Sequence, residues 1–197
     1  MAQNAPGMGL EIALVARARE GDHAAFEEIY RRYERRIYNT VYQVVRNEDD
    51  AADITQEAFV RAYRSLKNLR SDEAFVSWLF RIAINLSRNH LRSRPPFRVE
   101  SLDEFATSEE EEQELQIPDS THDPARMAEN REMQHVVRSA VGTLSHAHRE
   151  VITLHHLEGM RVDDIARILD CSVGTVKSRL SRARDELKRK LRAYVED

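Results

Sequence analysis

Three sets of residues in this chain have types and spacing that could do chemistry. The first runs from Val162 to Arg184. Val162, Ile165, Ala166, Ile168 and Leu169 recur at helical spacing, Asp170-Cys171-Ser172 breaks the run, and Val173, Val176, Leu180 and Ala183 resume it. Ser172 is a natural N-cap for the second stretch. Two short helices joined by a tight turn are the arrangement that lays a helix into a DNA major groove. The outward side of that second helix carries Thr175, Lys177, Ser178, Ser181 and Arg182, small polar and cationic side chains suited to base edges and phosphates. An ordinary amphipathic hairpin explains less, because turn, cap and basic face occur together.

The second set lies between Glu73 and Leu91. Arg81, Asn85, Arg88 and Arg92 recur at i, i+4, i+7 and i+11, with Asn89 beside them and Trp78 one turn before. Bases stack on aromatic rings and bond to amides, so such a face could hold nucleic acid. A core tryptophan next to a solvated polar stripe fits the same spacing equally well. The third set is His146, His148, His155 and His156. Zinc needs a convergent tetrahedral set, and no thiolate or carboxylate is placed to complete one. With no Gly-rich phosphate loop, G-x-S-x-G or H-E-x-x-H, the sequence predicts no metal, no cofactor and no enzyme.

The elements that must position these residues are helices. The chain has 197 residues, 41% hydrophobic and 32% charged, with few Gly and Pro, and is rich in Ala, Leu, Arg and Glu. Leu10–Arg19 reads as a first helix with Leu10, Leu14 and Val15 on one side, closed by Gly21-Asp22. Asp22 caps a second helix, in which Phe26, Ile29, Tyr30, Tyr33, Ile37, Val41 and Val45 share a face. Arg31, Arg32, Arg35 and Arg36 lie on its other side and read as a solvated charged face. Asn47 and the acidic residues after it open a third helix, whose expected core is Ala52, Ile54, Ala58, Phe59, Ala62 and Tyr63. A polar connector, 67–72, leads to the fourth helix with Asp72 as its expected cap. After Pro95-Pro96 periodicity stops until about Ala125. Two further helices then precede the hairpin, with Met127, Met133, Val137, Val141, Val151, Leu154 and Leu157 on apolar positions.

Charge is divided unevenly along this order. Residues 100–123 hold ten acidic residues and no Lys or Arg, so a net −4 leaves the rest of the chain at +6. Such a stretch reads as an acidic flexible linker. The expected fold is all-α, with two small helical domains joined by that linker. The boundaries are 1–21 for an N-terminal tail and first helix, 22–94 and 125–197 for the domains, and 95–124 for the linker. No run of 18 apolar residues occurs, a single cysteine excludes an internal disulfide, and no secretory signal is visible, so a cytoplasmic protein without membrane insertion is expected.

Two separated blocks resemble one family. Asp53-Ile-Thr-Gln-Glu-Ala-Phe59 followed by Phe75-Val-Ser-Trp-Leu-Phe-Arg-Ile-Ala-Ile-Asn85 is similar to region 2 of a bacterial sigma factor, and Val173-Gly-Thr-Val-Lys-Ser-Arg-Leu-Ser-Arg-Ala-Arg184 is similar to the region 4 recognition helix. The direct step from one to the other resembles the extracytoplasmic-function (ECF), sigma-E-like branch of the sigma-70 family. The resemblance implies a promoter-specificity subunit that binds core RNA polymerase, through the β′ clamp helices and the β subunit, and promoter DNA. It also implies an anti-sigma factor as partner. Asp53, Gln56 and Glu57 match the docking surface for the clamp helices. Arg70, Trp78, Arg81, Asn85 and Asn89 match the minus-10 reader, where a flipped base is captured. Lys177, Ser178, Ser181 and Arg182 match positions that meet the minus-35 major groove, with Thr175, Arg179 and Arg184 placed for phosphates. The linker would thread the polymerase cleft, with Glu109–Glu112 either a polyanion that imitates nucleic acid there or part of a merely solvated tether. The readers must stand about 17 base pairs apart, roughly 58 Å at ~3.4 Å per pair. A free-standing repressor or activator using the same hairpin on an operator is the alternative; it predicts dimers and a palindromic site.

Overall fold

The computed structural model describes residues 6–93, 133 and 136–195, and within them every regular element is helical. Four helices form the first half: α1 (Pro6–Arg19), α2 (His23–Val45), α3 (Glu48–Ser65) and α4 (Phe75–Ser93). Two of the starts follow from the residues named above. Asp22 Oδ1 accepts from the Ala25 amide at 3.1 Å, and Asn47 Oδ1 from the Asp50 amide at 2.9 Å, each satisfying a donor that the first turn leaves open. Asp72 is no cap. It opens one of two short 3-10 turns, Leu66–Asn68 and Asp72–Ala74, and its carboxylate faces Arg19 instead.

Ile29, Ile37 and Val41 of α2, Ala51, Ala58 and Ala62 of α3, and Leu79, Phe80, Ala83 and Ile84 of α4 are fully buried against one another. Each large side chain among them contributes about 1.5–3 kcal/mol over an exposed position. Three expected core positions turn out otherwise. Leu10 is 68% exposed, Tyr63 is 44% exposed, and Ala52 faces out while its neighbour Ala51 packs inward. At the start of α3 two alanines stand side by side, so a shift of one residue in the buried face exchanges which of them it holds.

The second half begins with α5 (residues 136–142), then α6 (His146–Ile152), α7 (Val162–Leu169) and α8 (Val173–Val195). A π-helical turn, Thr153–Leu157, extends α6, closed by the Glu158 amide on the Thr153 carbonyl at 3.1 Å. Asp170 ends α7 in the left-handed region at φ 52°, which Asp tolerates better than most residues. Ser172 Oγ then accepts from the Thr175 amide at 3.0 Å, the predicted cap of α8. Met133, Val137 and Leu157, placed in the core by spacing, are 48, 38 and 47% exposed. The linker 95–124 and Met127 lie outside the described residues.

The two halves share one continuous apolar cluster. α7 packs along α4, and α6 packs against the C-terminal end of α2. Charged groups are built into this contact. Arg88 Nε and Nη2 each donate to the Glu150 carboxylate at 2.6 Å, and Glu150 is only 4% exposed. Arg36 Nε and Thr40 Oγ1 donate to the two oxygens of Glu158, each at 3.0 Å. Arg149 is buried and donates to the carbonyls of Val44, Gly142 and Leu144 at 2.8–3.1 Å, so one guanidinium closes the ends of α2 and α5 together. Burial, then the nearby Arg46 charge, lowers its pKa to about 10, and it stays a cation at neutral pH. Gly142 is where Arg46 crosses: a Cβ there would meet the Arg46 Nη2 at 2.8 Å.

Candidate nucleic-acid interface

The connector between α3 and α4 builds the first site. Leu69 is buried with extended backbone between the two 3-10 turns, which leaves Arg70 outward. Asn68, Leu69, Arg70, Ala74, Ser77, Trp78 and Arg81 line a cavity of about 390 Å³. Trp78 is half-buried and braced by Phe75, with ring centroids 6.0 Å apart at 49°. These residues therefore offer an aromatic face, two guanidinium groups and an amide, which is what a splayed base needs for stacking and edge hydrogen bonds. Asn85 and Asn89 are exposed further along α4 and do not reach the cavity. Between them Arg88 leaves the polar stripe for Glu150 and the Leu169 carbonyl at 3.3 Å, and its hydrogen bonding to the Glu150 carboxylate holds its pKa above the ordinary value.

Two residues of the other half, Arg167 and Ile168 of α7, also line this cavity. Sequence spacing assigned them to the hairpin alone. Nothing in a periodicity says that the first helix of this hairpin will roof a pocket on the other half of the chain.

The second site is the outer face of α8. Lys177, Ser178, Ser181, Arg182 and Arg184 are exposed, whereas Thr175 and Arg179 are half-buried. Thr175 is turned to its own helix start, its hydroxyl 2.9 Å from Ser172 Oγ, and Ser178 Oγ donates to the Thr175 carbonyl at 2.9 Å. Behind them, His155, Lys177, Ser181, Arg184 and Asp185 line a cavity of about 330 Å³. Arg184 Nε donates to His156 Nε2 at 3.3 Å, which uses the imidazole lone pair. Burial, His155 and Arg184 all push the His156 pKa down, and burial with Arg149 does the same for His146. A depressed pKa means the unfolded chain takes the proton first, so stability is full above the ordinary imidazole value and falls as pH drops below it. The unfolding midpoint is expected to fall between pH 7 and pH 5, by less in His156→Gln; an unchanged slope in that variant would show that His156 is not among the groups responsible.

The third site is on α3. Asp53, Gln56 and Glu57 are all exposed, with Arg61 Nε on Glu57 at 2.6 Å. Val60 and Tyr63 continue that face as exposed apolar residues, and Tyr63 rests on Phe26 with centroids 4.9 Å apart and on His23 Nδ1 at 2.8 Å. Among the described residues no three His, Cys, Asp or Glu side chains cluster as metal ligands, and no helix is long and apolar enough to cross a membrane.

Comparison with known proteins gives these sites a family. Residues 29–95 match sigma-70 region 2, and residues 134–187 match sigma-70 region 4. The chain is 36% identical to the RNA polymerase sigma-H factor of Pseudomonas aeruginosa, over 93% of this chain and 95% of that one. It is 35% identical to the ECF RNA polymerase sigma-E factor of Escherichia coli K12, over 92% and 94% of the two chains. Among solved structures, CnrH in complex with the cytosolic domain of CnrY is 28% identical with a TM-score of 0.66, covering 93% of this chain and 97% of that one. The sigma factor RpoE of Bartonella quintana, solved with the anti-sigma factor NepR, shares the fold at 23% identity and a TM-score of 0.64, over 85% and 96% of the two chains. The conserved order of region 2 then region 4, and identity above one third over nearly the whole length, place this chain in the extracytoplasmic-function branch of the sigma-70 family of transcription initiation factors.

Proposed function

We infer that this chain binds core RNA polymerase and carries it to promoters, where it reads two elements and helps to open one of them, with no catalytic activity of its own and in the cytoplasm. The observation that carries this reading is the pairing, on one chain, of a base-sized aromatic cavity with an exposed groove-sized helix. Residues 22–94 are assigned to polymerase docking and the minus-10 element, residues 125–197 to the minus-35 element, and residues 95–124 to the tether between them. Asp53, Gln56 and Glu57 would meet the β′ clamp helices. Arg70, Trp78 and Arg81 would take the captured base, with Asn85 and Asn89 following the strand. On α8, Lys177, Ser178, Ser181 and Arg182 would meet bases, while Thr175, Arg179 and Arg184 serve the phosphates. The likeness to CnrH, solved with a bound protein domain, supports regulation by an anti-sigma factor.

The described arrangement cannot engage both elements at once. α7 packs against both α4 and α8, so those two helices stand at most about 20 Å apart at ~8–10 Å per packed pair. The promoter needs about 58 Å at ~3.4 Å per pair. Opening at the α4–α7 contact supplies the difference, since ~30 linker residues at ~3.3–3.6 Å each can span about 100 Å.

The test is promoter binding with and without core polymerase, paired with run-off transcription. Polymerase-dependent, promoter-specific run-off is expected, and tight specific binding by the chain alone, as a dimer on a palindrome, would replace this reading with a repressor. Within it, Arg182→Ala is expected to lower promoter use about 5- to 150-fold in a way that depends on the minus-35 sequence, because bidentate guanine contacts contribute ~1–3 kcal/mol. Lys188 is exposed further along α8, where a DNA-backbone contact is expected, and Lys188→Ala should instead reduce the salt dependence by about one phosphate contact on all sequences. Equal losses for Arg182→Ala on every sequence would remove Arg182 from base reading.

A further inference from the structure

The connector that carries Arg70 has little of its own to hold it. Its backbone bonds are local, the Leu69 amide to the Leu66 carbonyl at 3.0 Å and the Ala74 amide to the Ser71 carbonyl at 3.1 Å. Ser71 Oγ is also joined to the Glu73 carboxylate. These stabilise each 3-10 turn but do not fix one turn against the other. That link comes from α1. Arg19, in the last turn of α1, donates from Nη1 to the Leu69 carbonyl at 3.4 Å, and the same nitrogen stands 3.0 Å from Asp72 Oδ1. One guanidinium thus bridges the residues on either side of the Arg70–Ser71 pair. α1 is itself anchored, with Leu14, Val15 and Ala18 buried and both 3-10 turns packed against it. Asp72 is 16% exposed and Leu69 is buried, while the Arg19 side chain is 38% exposed, so the bridge is half-buried, with its acceptors on the inner side of the connector.

We infer that α1, which lies outside the matched region 2 segment, buttresses the minus-10 reader, with Arg19 as a positioning residue for the wall formed by Leu69 and Arg70. The inference rests on the promoter-reading role proposed above. Arg19 touches no DNA in this scheme. It acts by fixing where Arg70 leaves the backbone and how wide the cavity stands beside Trp78. A site that captures a base is sensitive to displacements of about 1 Å in its walls. Lysine would keep the charge, but its more strongly hydrated ammonium on a flexible stem fixes the carbonyl and the carboxylate less firmly than the rigid guanidinium does.

The experiment uses the full chain with core polymerase in abortive-initiation assays that separate initial promoter binding from isomerisation to the open complex. Templates carry either the preferred minus-10 element or single substitutions in it. For Arg19→Ala, isomerisation is expected to slow about tenfold, and the ratio between preferred and substituted elements to shrink. Arg19→Lys should fall between Arg19→Ala and wild type. Asp72→Asn cuts the same bridge from the connector side and should shift both measurements in the same direction, which keeps the test independent of any folding defect in one variant. Core affinity and initial binding should not change. The inference is overturned if Arg19→Ala leaves isomerisation at the wild-type rate, if it slows every template by one factor with discrimination intact, or if core affinity falls instead. Absence of promoter-dependent initiation by the wild type would overturn the promoter reading beneath it, a result distinguishable from all of these.

Discussion

Arg88→Ala is expected to part the two halves of this sigma factor while leaving each folded. The substitution removes both 2.6 Å hydrogen bonds to a carboxylate that is 4% exposed. Breaking a buried pair from one side costs about 3–5 kcal/mol, because the remaining charge has no water to replace its partner. Much of that cost is relieved if the α4–α7 contact opens and Glu150 reaches solvent, so the variant favours the separated state. Two observables should move together. A distance probe between α3 and α8 should lengthen, and the emission of the chain's single tryptophan should shift to the red as Arg167 and Ile168 leave its cavity. Glu150→Gln is the milder change, since an amide can still accept one of the two bonds and carries no buried charge. If Arg88→Ala leaves both the distance and the emission unchanged, the pair does not hold the halves together. Function should respond as well: with the Trp78 cavity uncovered, less of the binding energy for polymerase and promoter is spent on opening, and the chain should bind core more tightly.

How much of this could be seen in the sequence divides along a physical line. Periodicity reports which side of one helix is apolar, and there the sequence was a good guide. Ile29, Ile37 and Val41, or Ile165, Ile168, Val176 and Leu180, are buried where their spacing put them. Caps were equally legible at Asp22, Asn47 and Ser172, because the bond that makes a cap spans only three residues. Contacts between halves were not legible. Arg36 read as part of a solvated face, and Arg88 as part of either a nucleic-acid face or a solvated stripe, yet each finds a carboxylate more than sixty residues away, Glu158 and Glu150. No local rule pairs a charge with a partner on another domain. The exposed Tyr63 and Leu157 illustrate the converse: helical spacing places a residue on a face but does not say where along the helix that face stops being covered. The family motifs supplied what spacing could not at Trp78, where the residues alone left a core tryptophan and a base-stacking one equally open. Half-buried on a cavity, it satisfies parts of both descriptions.

Trp78→Ala should separate promoter binding from promoter opening. The ring forms one wall of the cavity and is supported by Phe75 at 6.0 Å, so it presents an aromatic surface without much freedom to turn. Stacking of one base on such a surface is worth ~1–3 kcal/mol. Its loss should lower the rate of open-complex formation about 5- to 150-fold at a promoter that must be melted. The faces proposed for duplex recognition on α8 and for docking on α3 are separate from this cavity, so initial binding and core affinity should stay within about twofold. Two comparisons isolate the stacking contribution. Trp78→Phe keeps an aromatic face and should recover most of the rate. A template already unpaired across the minus-10 element removes the cost of melting but not the need for capture, so on it Trp78→Ala should still be impaired, though by less than on duplex. Thymine-specific permanganate reactivity reports the opening directly, and run-off transcription reports its consequence. Should Trp78→Ala melt the promoter at the wild-type rate, the tryptophan is a packing residue, and base capture would have to rest on Arg70 and Arg81. Should it lose core binding in parallel with opening, the defect lies in the region 2 fold, because Trp78 packs against the core cluster that also holds α3 in place.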